Sequence, residues 1–159
     1  MTRCFTSALL VLTWYTTGAH PALAQSREVP APVVVVVFSN ITGDAVDDWI
    51  GAGIAETVAF GLNSVDGLIV LPTDSVEMGT RAASDAESPI AIAQALDARW
   101  VVSGAYRRLG DELRITARVT DVSTSNVLQS MTVDGLVGDL FALQDQLVAE
   151  VRTAFESQR

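Results

Sequence analysis

"VVVVVFSNITGDAVDDWIG", Val33 to Gly51, decides between an α/β chain and an all-β one. Five valines and a phenylalanine in a row leave no polar side for a strand to turn to water. Such a run belongs to a strand covered on both faces, the usual state of a central parallel strand. A polar loop with a Gly43-Asp44 step follows, and then a helix is predicted from about Ala45 to Ser64. Its apolar positions, Val46, Ile50, Ile54, Val58, Leu62 and Val65, recur at helical spacing. Gly51, Gly53 and Gly61 weaken that helix intrinsically, so all three are expected where it approaches the sheet closely.

A strand, a tight loop and a helix start also make a phosphate cradle, but not with these residues. "SNITGD" has neither the glycine spacing nor the lysine of a P-loop, and "GAGIAE", Gly51 to Glu56, lies inside the helix. Asp44, Asp47 and Asp48 stand where an anion would bind, so the chain supplies the negative charge that a helix N-terminus attracts. Asp44 is expected as the cap. Asp47 and Asp48 read as exposed complements of the helix dipole, and replacing both with Asn should then cost about 1 kcal/mol or less. A weak oxygen-ligand cation site is the lesser alternative. No metal and no cofactor is expected.

Downstream, "GLIVL", Gly67 to Leu71, is a second buried strand that Pro72 ends. Thr73 to Glu87 reads as a loop with at most one helical turn, at Ser75 to Met78. Ser88 and Pro89 open a helix as cap and first residue, with Ile90, Ile92 or Ala93, and Leu96 on its apolar face. From Arg99 the period becomes two. "WVVSGAYRRL" is a third strand and Gly110-Asp111 a hairpin turn. "ELRITARVTDV" alternates Leu113, Ile115, Ala117 and Val119 against Arg114, Thr116, Arg118 and Thr120. After a turn at Ser123 to Asn126 comes a fifth strand, then a helix from about Gly138 to Glu156. Its stripe is Leu140, Leu143 or Gln144, Leu147, Val151 and Phe155.

The order is β-α-β-α-β-β-β-α. Right-handed crossovers make the first three strands parallel, and two hairpins append the others. The expected fold is a single three-layer α/β/α domain over residues 33–156. Its five-stranded mixed sheet has the order 2-1-3-4-5, with strand 4 antiparallel.

Upstream, residues 1–24 read as a signal peptide: Arg3, a short apolar stretch, then Ala22 and Ala24 before a cleavage point at Gln25. Residues 25–32 form an exposed lead-in. Cys4 precedes the apolar stretch instead of standing at the cleavage point, so the protein is expected in the periplasm without a lipid anchor. The 159 residues carry a net charge of −9, and loss of Arg3 with the leader takes it to −10. So acidic a chain is a poor binder of nucleic acid or anionic surfaces. The only Cys, Cys4, and the only His, His20, lie in the leader, and there is no lysine. The remainder can form no Cys nucleophile, Ser-His-Asp triad, Schiff base or His/Cys metal site. No carboxylate pair is marked for acid–base work, and no enzymatic activity is expected.

Three segments in register, "VVVVVFSNITGDAVDDWIGAGIAETVAFGLNSVDGLIVL", "ARWVVSGAYRRLGDELRITARVTDVSTSNVL" and "FALQDQLVAEV", resemble the TolB amino-terminal-like domain. FlgO-type envelope proteins are close relatives of that family. The likeness runs from about Val33 to Val151. The chain departs at Ser125-Asn126, where members often have Thr-Gly, and at Leu128, where they often have Trp. The resemblance implies the mixed-sheet fold reached above, no catalytic residues, and a role in binding envelope proteins, as part of an assembly or transport system.

Two candidate surfaces follow from the strand pattern. Arg107, Arg114, Thr116, Arg118 and Thr120 share the side of the sheet that too few helices remain to cover. That side is either solvated or a docking face for an acidic partner, since arginine favours interfaces. The free edge of the fifth strand is a further place where a partner could add. The alternative function is a small-ligand sensor. It would use the crevice at the switch point between strands 1 and 3, near Asn40, Thr42, Asp44 and Ser103 with Trp49 as a lid.

Overall fold

The computed structural model describes residues 29–85 and 88–157, so the leader and its cleavage point lie outside the described residues. The elements are β1 (Ala31–Val35), β2 (Ser39–Asn40), α1 (Asp48–Leu62), β3 (Leu68–Val70), α2 (Thr73–Ala82), α3 (Pro89–Ala95), β4 (Trp100–Leu109), β5 (Glu112–Asp121), β6 (Val127–Leu136) and α4 (Leu140–Glu156). The sheet order is β3-β1-β4-β5-β6, with β2 paired to β4. Leaving aside the two-residue β2, this is the expected order. β1 is parallel to β3 and β4, and β5 is antiparallel to both its neighbours.

Two cores lie on opposite faces of the sheet. α1 and α4 close over Val33, Val35, Phe38, Val102, Tyr106, Ile115 and Val133, while α2 and α3 close over Val34, Val36 and Val101. The valine run therefore feeds both cores alternately, which is why it has no polar member. Trp100 is buried edge-on against Phe155, with ring centroids 6.1 Å apart. Apart from Val46, the predicted stripes of α1 and α4 are the buried ones, and in α4 both Leu143 and Gln144 face inward.

The valine run does not continue straight to Phe38. Val35 pairs with Val102 but Ser39 with Ala105, so one extra residue is accommodated in between. This bulge shifts the alternation by one. Val37 points to solvent, and Phe38 turns into the α1–α4 core. Its carbonyl lies against Gly51 and its ring against Gly104, two positions where a Cβ would overlap it. Gly61 meets Val148 of α4 in the same way, whereas a Cβ on Gly53 has its nearest neighbour 3.7 Å away. The expectation that all three helix glycines approach the sheet therefore holds for Gly51 only.

Three further expectations are corrected. Thr73–Ala82 is a helix and not a loop. Its inward positions, Val76, Gly79 and Thr80, do recur at helical spacing, but they are few and set in a polar segment, with Gly79 against Leu96 and Val76 on the α3-side core. The helix after β2 begins with a 3₁₀ turn at Ala45–Asp47. Three residues per turn change the phase, so Val46 is exposed and Asp47 is buried. Trp49 is 61% exposed and is no lid over the strand ends, because Ile50 and Ile54 take the inward positions.

Candidate functional site

The C-terminal ends of β2 and β4 are tied together by a polar cluster. Asn40 Oδ1 accepts from the backbone N–H groups of Thr42 (3.0 Å) and Gly43 (3.1 Å). Its amide donates to the carbonyl of Asp44 (2.8 Å) and to Asp48 Oδ1 (2.9 Å). Thr42 Oγ1 both accepts from Arg108 N and donates to Arg108 O. Asp44 caps the 3₁₀ turn by accepting from Val46 N at 3.1 Å. The residues Asn40, Thr42 and Asp44, expected at a crevice, are engaged with one another and hold the loop onto β4.

Asp47 was expected on the surface and is not there. It is 5% exposed, with Arg108 Nη1 donating to its Oδ1 at 2.8 Å. Arg108 Nε donates to the hairpin carbonyl of Gly110 at 2.8 Å, and the Tyr106 hydroxyl donates to the Asp47 carbonyl at 2.6 Å. Asp47 is thus a partnered core carboxylate and Asp48 a ligand of the Asn40 amide. Their joint replacement by Asn must cost more than the surface figure given above. Among the described residues, no group of three His, Cys, Asp or Glu side chains could hold a metal ion.

Burial pushes the Tyr106 phenol above its ordinary range, and the charges of Asp48 and Asp47 push it further, against an opposing backbone contact at Gly51. A phenol kept neutral on folding contributes stability that is complete below the unfolded value of about 10. That contribution is lost as the pH rises through the folded value. Urea midpoints should therefore fall on the alkaline side. In Tyr106→Phe this alkaline loss should flatten, at a cost near neutral pH of about 1 kcal/mol for the hydrogen bond. An equally steep alkaline loss in the variant would show that Tyr106 is not its source.

The second site is the sheet face that α2 and α3 leave uncovered. Strand pairing lays it out in rows: Ser103–Arg118–Ser130, Ala105–Thr116–Thr132, Arg107–Arg114–Asp134 and Leu109–Glu112–Leu136. Arg114 makes a two-pronged contact with Asp134, at 2.6 and 3.0 Å, which holds the Asp134 carboxyl below its usual range. Arg107 and Arg118 have no acidic partner among the described residues. Arg107 also stands directly opposite Arg114, a like-charge pairing that costs stability. Thr120 does not belong to the open face: it is buried beside Val101, which packs into the α3-side core. A depression of about 410 Å³ at the hairpin end is lined by Arg107, Leu109, Glu112, Arg114, Asp134 and Leu136, among others.

A crevice does open at the switch point, but on the α2–α3 side. It has a volume of about 610 Å³, with Val36, Ser39, Thr80, Ile92, Ser103 and Gly104 in its wall. Of the residues expected there only Ser103 lines it. Asn40, Thr42, Asp44 and Trp49 lie elsewhere, because the bulge before Phe38 carries the chain towards α1.

No family model matches the chain. It is 28% identical over 122 residues to the curated Rhizobium meliloti (strain 1021) protein named "Putative adenylate cyclase 3". The match takes in 77% of this chain and spans about a fifth of that protein, 20% of its length. Among solved structures, lipoprotein GNA1162 of Neisseria meningitidis superposes with a TM-score of 0.57 at 21% identity, covering 77% of this chain and 96% of its own. The LpoB C-terminal domain of Salmonella enterica gives 0.55 at 13% identity, covering 71% and 87%. TolB of Acinetobacter baumannii gives 0.54 at 13% identity, covering 81% of this chain and 30% of TolB. The fold built by the valine run and the two hairpins is the mixed α/β fold that these three proteins share.

Proposed function

We propose that the chain is an exported, non-enzymatic protein-binding domain of the bacterial cell envelope, working in the periplasm as part of an assembly or transport system. It docks an acidic partner on the open face of β4–β6. The observation that carries this reading is the pair Arg107 and Arg118. They are two guanidinium groups without an acidic partner among the described residues, on an uncovered sheet face in a chain whose net charge is −9. The other two arginines of these strands, Arg108 and Arg114, are each paired with a carboxylate. The likeness in fold to TolB, LpoB and a lipoprotein supports the envelope setting.

The test replaces the two free arginines and leaves Arg114 on Asp134. Arg107→Glu/Arg118→Glu should abolish salt-sensitive capture of the partner from envelope extract. Stability should hold, because Arg107→Glu sets a carboxylate opposite Arg114. Unchanged capture at every salt concentration would show that the face is merely solvated. A second reading, small-ligand sensing, is favoured by the crevice of about 610 Å³. It predicts a ligand-dependent rise in melting temperature that Ser103→Val removes and Arg107→Glu does not.

A further inference from the structure

Six of the large apolar side chains left exposed gather at one end of the domain: Ile41, Val46, Trp49, Leu109, Leu136 and Phe141, with Leu109 77% and Phe141 81% exposed. Topology puts them together. β1, β4 and β6 run the same way, and this is the end where β4 and β6 finish and where α1 and α4 begin. Bonds across the end fasten the parts to one another. Thr42 bonds Arg108, Arg108 bonds Asp47, and Val137 N donates to the hairpin carbonyl of Asp111 at 2.8 Å. None of the six serves either core.

Apart from Arg107 and Arg114, which line the hairpin-end depression beside Leu109 and Leu136, the exposed charges around them are of one sign. Asp44, Asp48, Asp111, Glu112 and Asp139 are all exposed here. The arginine at this end, Arg108, is taken by the buried Asp47, and the nearest unpartnered cation, Arg107, stands one row back on the sheet face. Two helix N-termini add a partial positive charge of roughly half a unit each, too little to offset five carboxylates. We propose that this pole docks a basic, amphipathic segment of a partner protein, apolar side chains on the Trp49–Phe141 surface and cations on the carboxylates. The same charge disfavours the other occupants of an apolar surface. A second copy would bring five more carboxylates against these, and an anionic bilayer would be repelled.

The experiment titrates the full chain with a synthetic Leu/Lys amphipathic peptide and, separately, with the Leu/Glu peptide of the same pattern, following backbone amide shifts. The Leu/Lys peptide should shift the amides of 41–49, 109–112 and 136–141, and the Leu/Glu peptide should leave them in place. Trp49→Ser/Phe141→Ser should weaken the Leu/Lys peptide about tenfold or more with the far-UV spectrum unchanged, since both side chains are exposed. Arg107→Glu/Arg118→Glu should not weaken it, which separates this site from the acidic-partner face. The proposal is overturned if the peptide binds the double variant equally well, as it would by adhering to an acidic surface at large. It is also overturned if Trp49→Ser/Phe141→Ser abolishes self-association or binding to phosphatidylglycerol vesicles in place of peptide binding.

Discussion

Gly51→Ala should destabilise the domain by about 3 kcal/mol, at the upper end for one added methyl group in a packed site. The same change two residues on, Gly53→Ala, should stabilise it by about 0.5–1 kcal/mol. Both glycines sit in α1, so helix propensity favours alanine equally at both. What differs is the neighbour. A Cβ on Gly51 would overlap the backbone carbonyl of Phe38, whereas at Gly53 the nearest atom is the end of the Gln144 side chain at 3.7 Å. The Phe38 carbonyl cannot retreat. Val36 N donates to Val102 O at 3.0 Å and Ile41 N to Tyr106 O at 2.9 Å, so the bulge is pinned to β4 on both sides. The Phe38 ring is lodged over Gly104 and blocks movement in that direction. Chemical denaturation of the two variants checks the signs. A Gly51→Ala protein as stable as Gly53→Ala would mean that the bulge can slide, and that the helix–sheet contact does not fix its position.

Arg108→Ala should cost about 3 kcal/mol, whereas Asp47→Ala should cost only about 1 kcal/mol, although the two residues form one ion pair. The asymmetry comes from burial. The Asp47 side chain is 7% exposed and that of Arg108 33%. Without Arg108 the carboxylate is left in the core with no cation. Without Asp47 the guanidinium can turn to water and keep its bond to the Gly110 carbonyl. The Tyr106 hydroxyl bonds the main-chain carbonyl of Asp47, so Asp47→Ala leaves that contact in place. The double variant Arg108→Ala/Asp47→Ala should therefore be more stable than Arg108→Ala alone, which urea midpoints of the three proteins would show. Equal losses for the two single variants would indicate that the pair acts as a surface contact.

Much of the fold could be read along the chain because its signals are local. The β-branched run reads as a doubly covered strand, which holds for Val33 to Val36, and Leu113, Ile115, Ala117 and Val119 alternate where a sheet has one buried face. Ser88 and Pro89 start α3 as their chemistry requires, with Ser88 Oγ accepting from Ala91 N at 3.4 Å. The strand order followed from these elements together with the handedness of the crossovers.

Other features depended on what lies across the sheet. α2 was hidden because its inward positions, Val76 and Gly79 against Leu96, are few within a polar segment, so their helical spacing reads as a loop. The bulge that turns Phe38 inward was hidden because it depends on the room at Gly51 and Gly104, which are distant in sequence. Asp47 looked like one of three equivalent helix-start carboxylates, and only the 3₁₀ turn and Arg108, sixty-one residues away, set it apart. The same holds for the arginines. Sequence grouped Arg107, Arg108, Arg114 and Arg118 by composition and alternation. The tertiary structure joined Arg108 to the core and Arg114 to Asp134, and left Arg107 and Arg118 without an acidic partner among the described residues. Local periodicity determines which face of an element is buried. Which charge on the other face meets a partner is decided by residues that the fold alone brings within 3 Å, and the sequence by itself carries no local sign of them.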